Sequence, residues 1–211
     1  MENFLLGIMR QIKKMVSQYI VIGSAILFLS GCATSPPNNI NNACSIVQQY
    51  PSWYYDAEKS YKKWGVPVNT QLAIIYKESS FKADVKPPRK KLLGFIPWSH
   101  ITTASGYSQA VDGTWDMYKK ATGNSGASRS SFEDSVDFIG WYGNYISKRT
   151  GVSKSDTYMI YMAYYLGPGA VRSGSYKRNK MAKEVSGVAQ KWANKYASQL
   201  KTCKIPSEGW W

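Results

Sequence analysis

Among the side chains that could move protons, Glu78 is the best placed. It lies in the run Ile74-Ile75-Tyr76-Lys77-Glu78-Ser79-Ser80-Phe81, at the end of the apolar part and just before small polar residues. Leu72, Ile75, Tyr76 and Ser79 follow i, i+3, i+4, i+7 spacing, which predicts a helix with one face turned inward. Pro67 is placed like a first-turn proline, and Asn69 or Thr70 like an N-terminal cap. Glu78 then falls in the last turn, where the helix end carries partial negative charge. Ile74, four residues back, lies on the same side and offers apolar surroundings. Both effects disfavour the anion and raise the carboxyl pKa towards that of a general acid. The plainer reading of this stretch alone is a surface glutamate that happens to end a helix. A second carboxylate facing Glu78 across a groove would let a water be activated. Asp84, Asp112 and Asp116 are the nearest in sequence, and each also reads as a solvated loop or helix-start aspartate. His100 is the only histidine and has no companion. The cysteines match no metal spacing, and there is no nucleotide motif. No cofactor and no metal are therefore expected.

The elements that must position these groups read as mostly helical. Ser52 to Trp64 places Trp53, Ala57, Tyr61 and Trp64 on one face and stops at Gly65. The Glu78 helix follows. Residues 82–105 have no clean period and hold Pro87, Pro88 and Pro97, so they read as a long loop. Strand signals are nearly absent, with Gly106 to Val111 the one exception. Asp112 to Lys120 is a short helix ended by Gly123. Ser130-Ser131-Phe132-Glu133 reads as a capping box, opening a helix that buries Phe132, Val136, Ile139, Gly143 and Ile146. Ser155 to Leu166 is another helix, stopped by Gly167-Pro168-Gly169. Asn179 to Lys201 is the last, with Val185, Ala189, Trp192, Tyr196 and Leu200 inward.

Three pieces stand in order: Glu78-Ser79, then Gly106-Tyr107-Ser108-Gln109, then Ala163-Tyr164-Tyr165-Leu166-Gly167-Pro168-Gly169-Ala170-Val171. Together they resemble the lytic transglycosylases of the soluble-lytic-transglycosylase type, relatives of goose-type lysozyme. That family shows Glu-Ser, Gly-Leu-Met-Gln and Ala-Tyr-Asn-x-Gly-x-Gly-x-Val in the same order. The resemblance covers roughly residues 50–200. It implies a lysozyme-like helical domain with a small hairpin or loop region lining a groove. It also implies cleavage of the MurNAc–GlcNAc bond in peptidoglycan strands, with Glu78 acting first as acid and then as base. Tyr164 matches the family tyrosine near the glutamate and is expected to hydrogen-bond to it. Gln109 matches a groove-lining residue, and Ser79 is expected to steady the turn at the substrate. Leu-Met is replaced here by Tyr107-Ser108, and the family asparagine by Tyr165. Tyr107 and Tyr165 are thus expected as sugar contacts peculiar to this chain. The alternatives are a hydrolytic muramidase and a non-catalytic peptidoglycan-binding lipoprotein of an envelope-spanning apparatus.

The front of the chain has its own pattern. Arg10, Lys13 and Lys14 precede the apolar core Tyr19–Leu29, which is short for a membrane span. Leu29-Ser30-Gly31-Cys32 follows at once and resembles a bacterial lipobox, which implies lipidation of Cys32. Ala33 after it points to the outer membrane, with the domain in the periplasm. Met1 or Met9 could be the start. Residues 1–31 are thus expected as a signal peptide, 32–43 as a lipidated flexible tether rich in Pro and Asn, and 44–211 as the catalytic domain. With Cys32 lipidated, Cys44 and Cys203 remain to pair in an oxidising compartment and clasp the ends of the domain.

Net charge is +14, and +12 remains after residues 1–31 are set aside, so the basic balance belongs to the domain. The lysines are scattered, with no nucleic-acid motif, which argues against a nucleic-acid partner. Tyr (16) and Trp (8) outnumber Phe (6), a balance suited to grooves that hold amphipathic sugars. Residues 82–105 combine Lys86, Arg89, Lys90 and Lys91 with the apolar run Leu92–Trp98. They are expected to be a lid, a docking arm for an envelope partner, a membrane-touching segment or the cover of a satellite core.

Overall fold

A computed structural model describes residues 34–87, 89–92, 96–100, 102–207 and 209. The expected signal peptide and Cys32 lie outside the described residues. Ser35–Trp211 form one compact unit; of a second, Met1–Thr34, only Thr34 is described.

Eight α-helices are described: α1 (Ala43–Gln49), α2 (Pro51–Trp64), α3 (Val68–Ser79), α4 (Asp112–Thr122), α5 (Phe132–Thr150), α6 (Thr157–Leu166), α7 (Pro168–Arg172) and α8 (Lys180–Lys201). A 3₁₀ turn, Ser175–Arg178, leads into α8. The mostly helical fold class read from the sequence holds. The long loop differs from expectation, because its middle is an antiparallel hairpin of β1 (Arg89–Leu92) and β2 (Ile96–His100). Its prolines and irregular register hide any period of two; Lys91 faces Pro97, with a bulge between Arg89 and Lys91.

Helix ends follow local chemistry. Gly65, Gly123 and Gly151 close α2, α4 and α5 in the left-handed region that glycine enters freely. Asn42, Ser131, Asp156 and Asn179 cap α1, α5, α6 and α8 by accepting backbone N–H bonds, which satisfies donors the helix leaves open. The capping box sits one residue later than expected. Ser131 Oγ accepts from Asp134 N at 3.2 Å, and Glu133 is left to pair with Lys59. The start of α3 also differs: Pro67 is the cap position, and Asn69 and Thr70 lie within the helix. Thr70 meets Thr157 hydroxyl to hydroxyl at 2.7 Å, tying α3 to α6.

Helix α3 is the centre. Gln71 to Ile75 are all buried, so it is enclosed on more than the single face its spacing predicts. It packs against α2, α5 and α8. Burying Leu72, Ile74 and Ile75, each fully enclosed, stabilises the fold by about 1.5–3 kcal/mol apiece. Across α2 and α5 the helices approach closely. A Cβ on Gly140 would stand 2.3 Å from Ser60 Oγ, which itself donates to Val136 O at 2.8 Å. Ser60, not Tyr61, is therefore the inward residue of that turn, and Tyr61 faces solvent. Trp53 is the aromatic hub, stacked on Phe132 at 4.0 Å and on Phe81 at 6.0 Å, with Tyr107 edge-on at 5.7 Å.

Residues 35–42, expected as tether, fold onto the domain. Tyr50 Oη donates to Ser35 O at 2.8 Å, Tyr196 Oη to Ile40 O at 2.5 Å, and Gln199 Nε2 to Asn41 O at 3.2 Å. The asparagines there act as turn and cap residues, a use their polarity had concealed. Cys44 and Cys203 form a disulfide, clasping α1 to the end of α8.

Candidate active site

Glu78 occupies the last turn of α3, and the chain turns sharply just after it. Ser80 caps the helix with φ 53°, its N–H bonded to Tyr76 O at 3.1 Å. Phe81 follows with φ 60°. Two successive non-glycine residues in the left-handed region cost of order 1–3 kcal/mol each. The compensation is packing: Phe81 is fully buried against Trp53. The strain ends the helix directly after its carboxylate.

Glu78 is half-buried as a residue, with its carboxyl hemmed in by protein. Tyr161, on α6, donates its Oη to Glu78 Oε1 at 2.7 Å. Burial pushes the Glu78 pKa up to about 7, and the Tyr161 bond and then the Lys77 charge oppose that rise without cancelling it. Lys77 is the only charged side chain that acts appreciably on it among the described residues. Burial, followed by the neighbouring Glu78 charge, drives the Tyr161 phenol well above its ordinary range, so it remains a donor.

Of the three candidate second carboxylates, two pair elsewhere and the third lies open to solvent. Asp112 pairs with Arg129 at 2.7 Å and Asp116 with Lys119 at 3.1 Å, while Asp84 is solvent-exposed. Among the described residues no group of three or more His, Cys, Asp or Glu could hold a metal ion.

Residues 106–109 form a turn tied to α6 through Tyr164, whose Oη donates to Ser108 O. Gly106 has φ 73°, and a Cβ there would lie 2.0 Å from Arg129 O, so only glycine fits. Its N–H bonds Val85 O at 3.0 Å, and Gln109 Nε2 donates to Val85 O at 2.9 Å and Gly106 O at 2.8 Å. Gln109 itself stands at φ 47°. Its amide therefore clamps 106–109 to the stretch that follows the acid, leaving its Oε1 without a partner among the described residues.

Several expectations change here. Tyr164 is not the partner of Glu78; its Oη donates to Ser108 O at 2.6 Å, and its ring lies parallel to Tyr161 at 6.2 Å. The acid's partner is Tyr161, one helical turn earlier, which the motif reading missed. The signal was its i, i+3 spacing to Tyr164, which puts both on one face. Tyr107 is no sugar contact, because it is 1% exposed and wedged beside Trp53 and Phe132. An aromatic replacing a leucine fills the core rather than the groove. Ser79 is buried, with its hydroxyl bonded to Ile75 O at 3.2 Å, so it braces the helix end and does not face a substrate. Tyr165 is 46% exposed, with its Oη donating to Met181 Sδ at 3.4 Å, and it remains available to a ligand.

A family model described as Transglycosylase SLT domain matches residues 20–203. No curated protein matches the chain.

Proposed function

Because the chain belongs to the Transglycosylase SLT domain family, we propose that it is a peptidoglycan lytic transglycosylase using Glu78 as its single acid and base. Peptidoglycan is the substrate that family membership points to. The observation that carries the reading is the Glu78 carboxyl at the end of α3, accepting from Tyr161 at 2.7 Å and raised by burial to a pKa of about 7, with no second carboxylate acting on it among the described residues. At that pKa both protonation states are well populated at neutral pH, as a group that must first give and then take a proton requires.

Protonated Glu78 donates to the glycosidic oxygen between MurNAc and GlcNAc, and that C1–O bond breaks. The substrate's N-acetyl oxygen stabilises the charge developing at C1, as in substrate-assisted glycosidases. The Glu78 carboxylate then takes the proton of the MurNAc C6 hydroxyl as its oxygen attacks C1. The product is a 1,6-anhydro sugar and no water is consumed. Tyr161 occupies Oε1 as a donor, so the transferred proton travels on Oε2. Gln109 holds 106–109 in place, and Tyr165 offers an aromatic face to sugar.

Mass spectrometry of sacculi digested by the protein tests this. Fragments lighter by one water than reducing-end muropeptides are expected. Reducing ends would make the protein a muramidase, and binding without release would make it a non-catalytic module. In the same proposal a lipid on Cys32 anchors the domain in the periplasm at the outer membrane, and residues 82–105 reach an envelope partner. Labelling with a fatty-acid analogue, lost in Cys32→Ser, checks the anchor.

A further inference from the structure

A cavity of about 410 Å³ lies at the root of the hairpin, lined by Lys86, Pro87, Thr102, Thr103, Ala104, Ser105 and Asp112. That volume is within the range of small-ligand sites, about 300–1,000 Å³. Its two charges are of opposite sign and do not neutralise each other. The exposed Lys86 ammonium has no ion-pair partner among the described residues. Asp112 gives Oδ1 to Arg129 Nη2 at 2.7 Å and keeps Oδ2 open, with a side chain 60% exposed. Thr102 and Thr103 accept backbone N–H bonds from Ala104 and Asp112 at 3.1 and 3.0 Å, which leaves each hydroxyl hydrogen free to donate.

The wall is braced in advance. Arg129 Nη1 donates to Thr103 O at 3.1 Å and Ser105 Oγ at 3.0 Å, and its guanidinium lies over Trp115. Binding there would cost little ordering entropy. The cavity also shares its frame with the candidate active site. Lys86 directly follows Val85, whose carbonyl is the anchor for Gly106 and Gln109. Ser108 in turn is tied to Tyr164, which lies against Tyr161.

We propose that this cavity is a docking site for the stem peptide of the glycan strand. Lys86 receives a peptide carboxylate, and Asp112 receives the side-chain ammonium of the diamino acid. Stem peptides carry free carboxylates and, before cross-linking, that amine, so their charges complement the pair. The inference rests on the proposed activity for its substrate but not for its binding chemistry.

Two measurements on the full chain test it. Cleavage of peptide-bearing strands is compared with that of strands stripped of peptide by an amidase. The expected result is a preference of about fivefold or more in kcat/KM for peptide-bearing strands, erased in Lys86→Ala through KM rather than kcat. Equal cleavage of both strands by the unaltered protein, or an equal loss on both in Lys86→Ala, overturns the proposal. Separately, a free stem tetrapeptide is titrated while amide NMR signals are followed. Shifts at Lys86, Thr102 and Thr103, with those at Thr102 and Thr103 weakened in Lys86→Ala and in Asp112→Asn, support the site. Their absence at millimolar peptide overturns it. If neither kind of strand is cleaved, the activity fails, and the titration alone decides the docking site.

Discussion

Glu78 and Asp137 are both partly buried carboxylates on helices, and their surroundings could hardly differ more. Asp137, on α5, accepts from Lys63 Nζ at 3.2 Å, Trp64 Nε1 at 2.7 Å and Tyr118 Oη at 2.8 Å. A cation and two oriented donors make it the joint that holds α2, α4 and α5 together. Glu78 has one neutral donor, apolar neighbours and the unfavourable end of its helix dipole. Donors that surround a carboxylate turn it into structure. A carboxylate starved of donors keeps its proton and is left with chemistry to do. Burial raises the Glu78 pKa, and its single neutral donor is too little to offset that, whereas Asp137 has a cation and two donors around it.

The sharpest way to break this comparison is to neutralise each carboxylate. Glu78→Gln keeps the shape and the Tyr161 bond but cannot transfer a proton, so release of soluble fragments from sacculi should fall by about 10²–10⁴-fold. The same variant should be the more stable at high pH. The folded carboxyl titrates near 7 and the unfolded one near 4.5, so the folded state binds more protons between those values. Stability is thus highest below about 4.5, falls as pH rises through that window, and levels out above 7. The full penalty is about 3 kcal/mol, which Gln removes; urea melts at pH 4 and pH 8 should show the variant's advantage only at the higher pH.

Asp137→Ala should do the opposite. It strands the Trp64 and Tyr118 donors and should cost about 2–4 kcal/mol in the same melts, while the rate per folded molecule stays intact. The clasp between Cys44 and Cys203 gives a scale for both, since Cys44→Ser with Cys203→Ser should lose about 2–4 kcal/mol. The smallest effect is expected for Tyr161→Phe. Its hydroxyl holds the Glu78 pKa down, so removing it raises that pKa and moves the alkaline limb of the pH–rate profile upward. A rate loss of about tenfold through lost orientation should accompany the shift.

Most helix spans were legible because their causes are local. Glycine stops, polar caps and apolar spacing fix α2, α5 and α8 within a residue or two. The placement of Glu78 at a helix end followed from the same local signs. What was not legible depends on how elements face each other. The rotation of α6 brings Tyr161, and not Tyr164, against the acid. The inward turn of Tyr107 is set by Trp53 and Phe132, which lie far away in sequence. The hairpin at 89–100 escaped notice because prolines and a bulge erase its alternation. Residues 35–42 looked like a tether because their bonds run to side chains of Gln49 on α1, of Tyr50 and of α8 that no local pattern announces.

The central claim is that the Glu78 carboxyl still holds its proton near neutral pH. A ¹³C titration of that carboxyl, assigned by its loss in Glu78→Gln, measures this directly. A midpoint near pH 7 is the expected result; a midpoint near 4.5 would contradict the account.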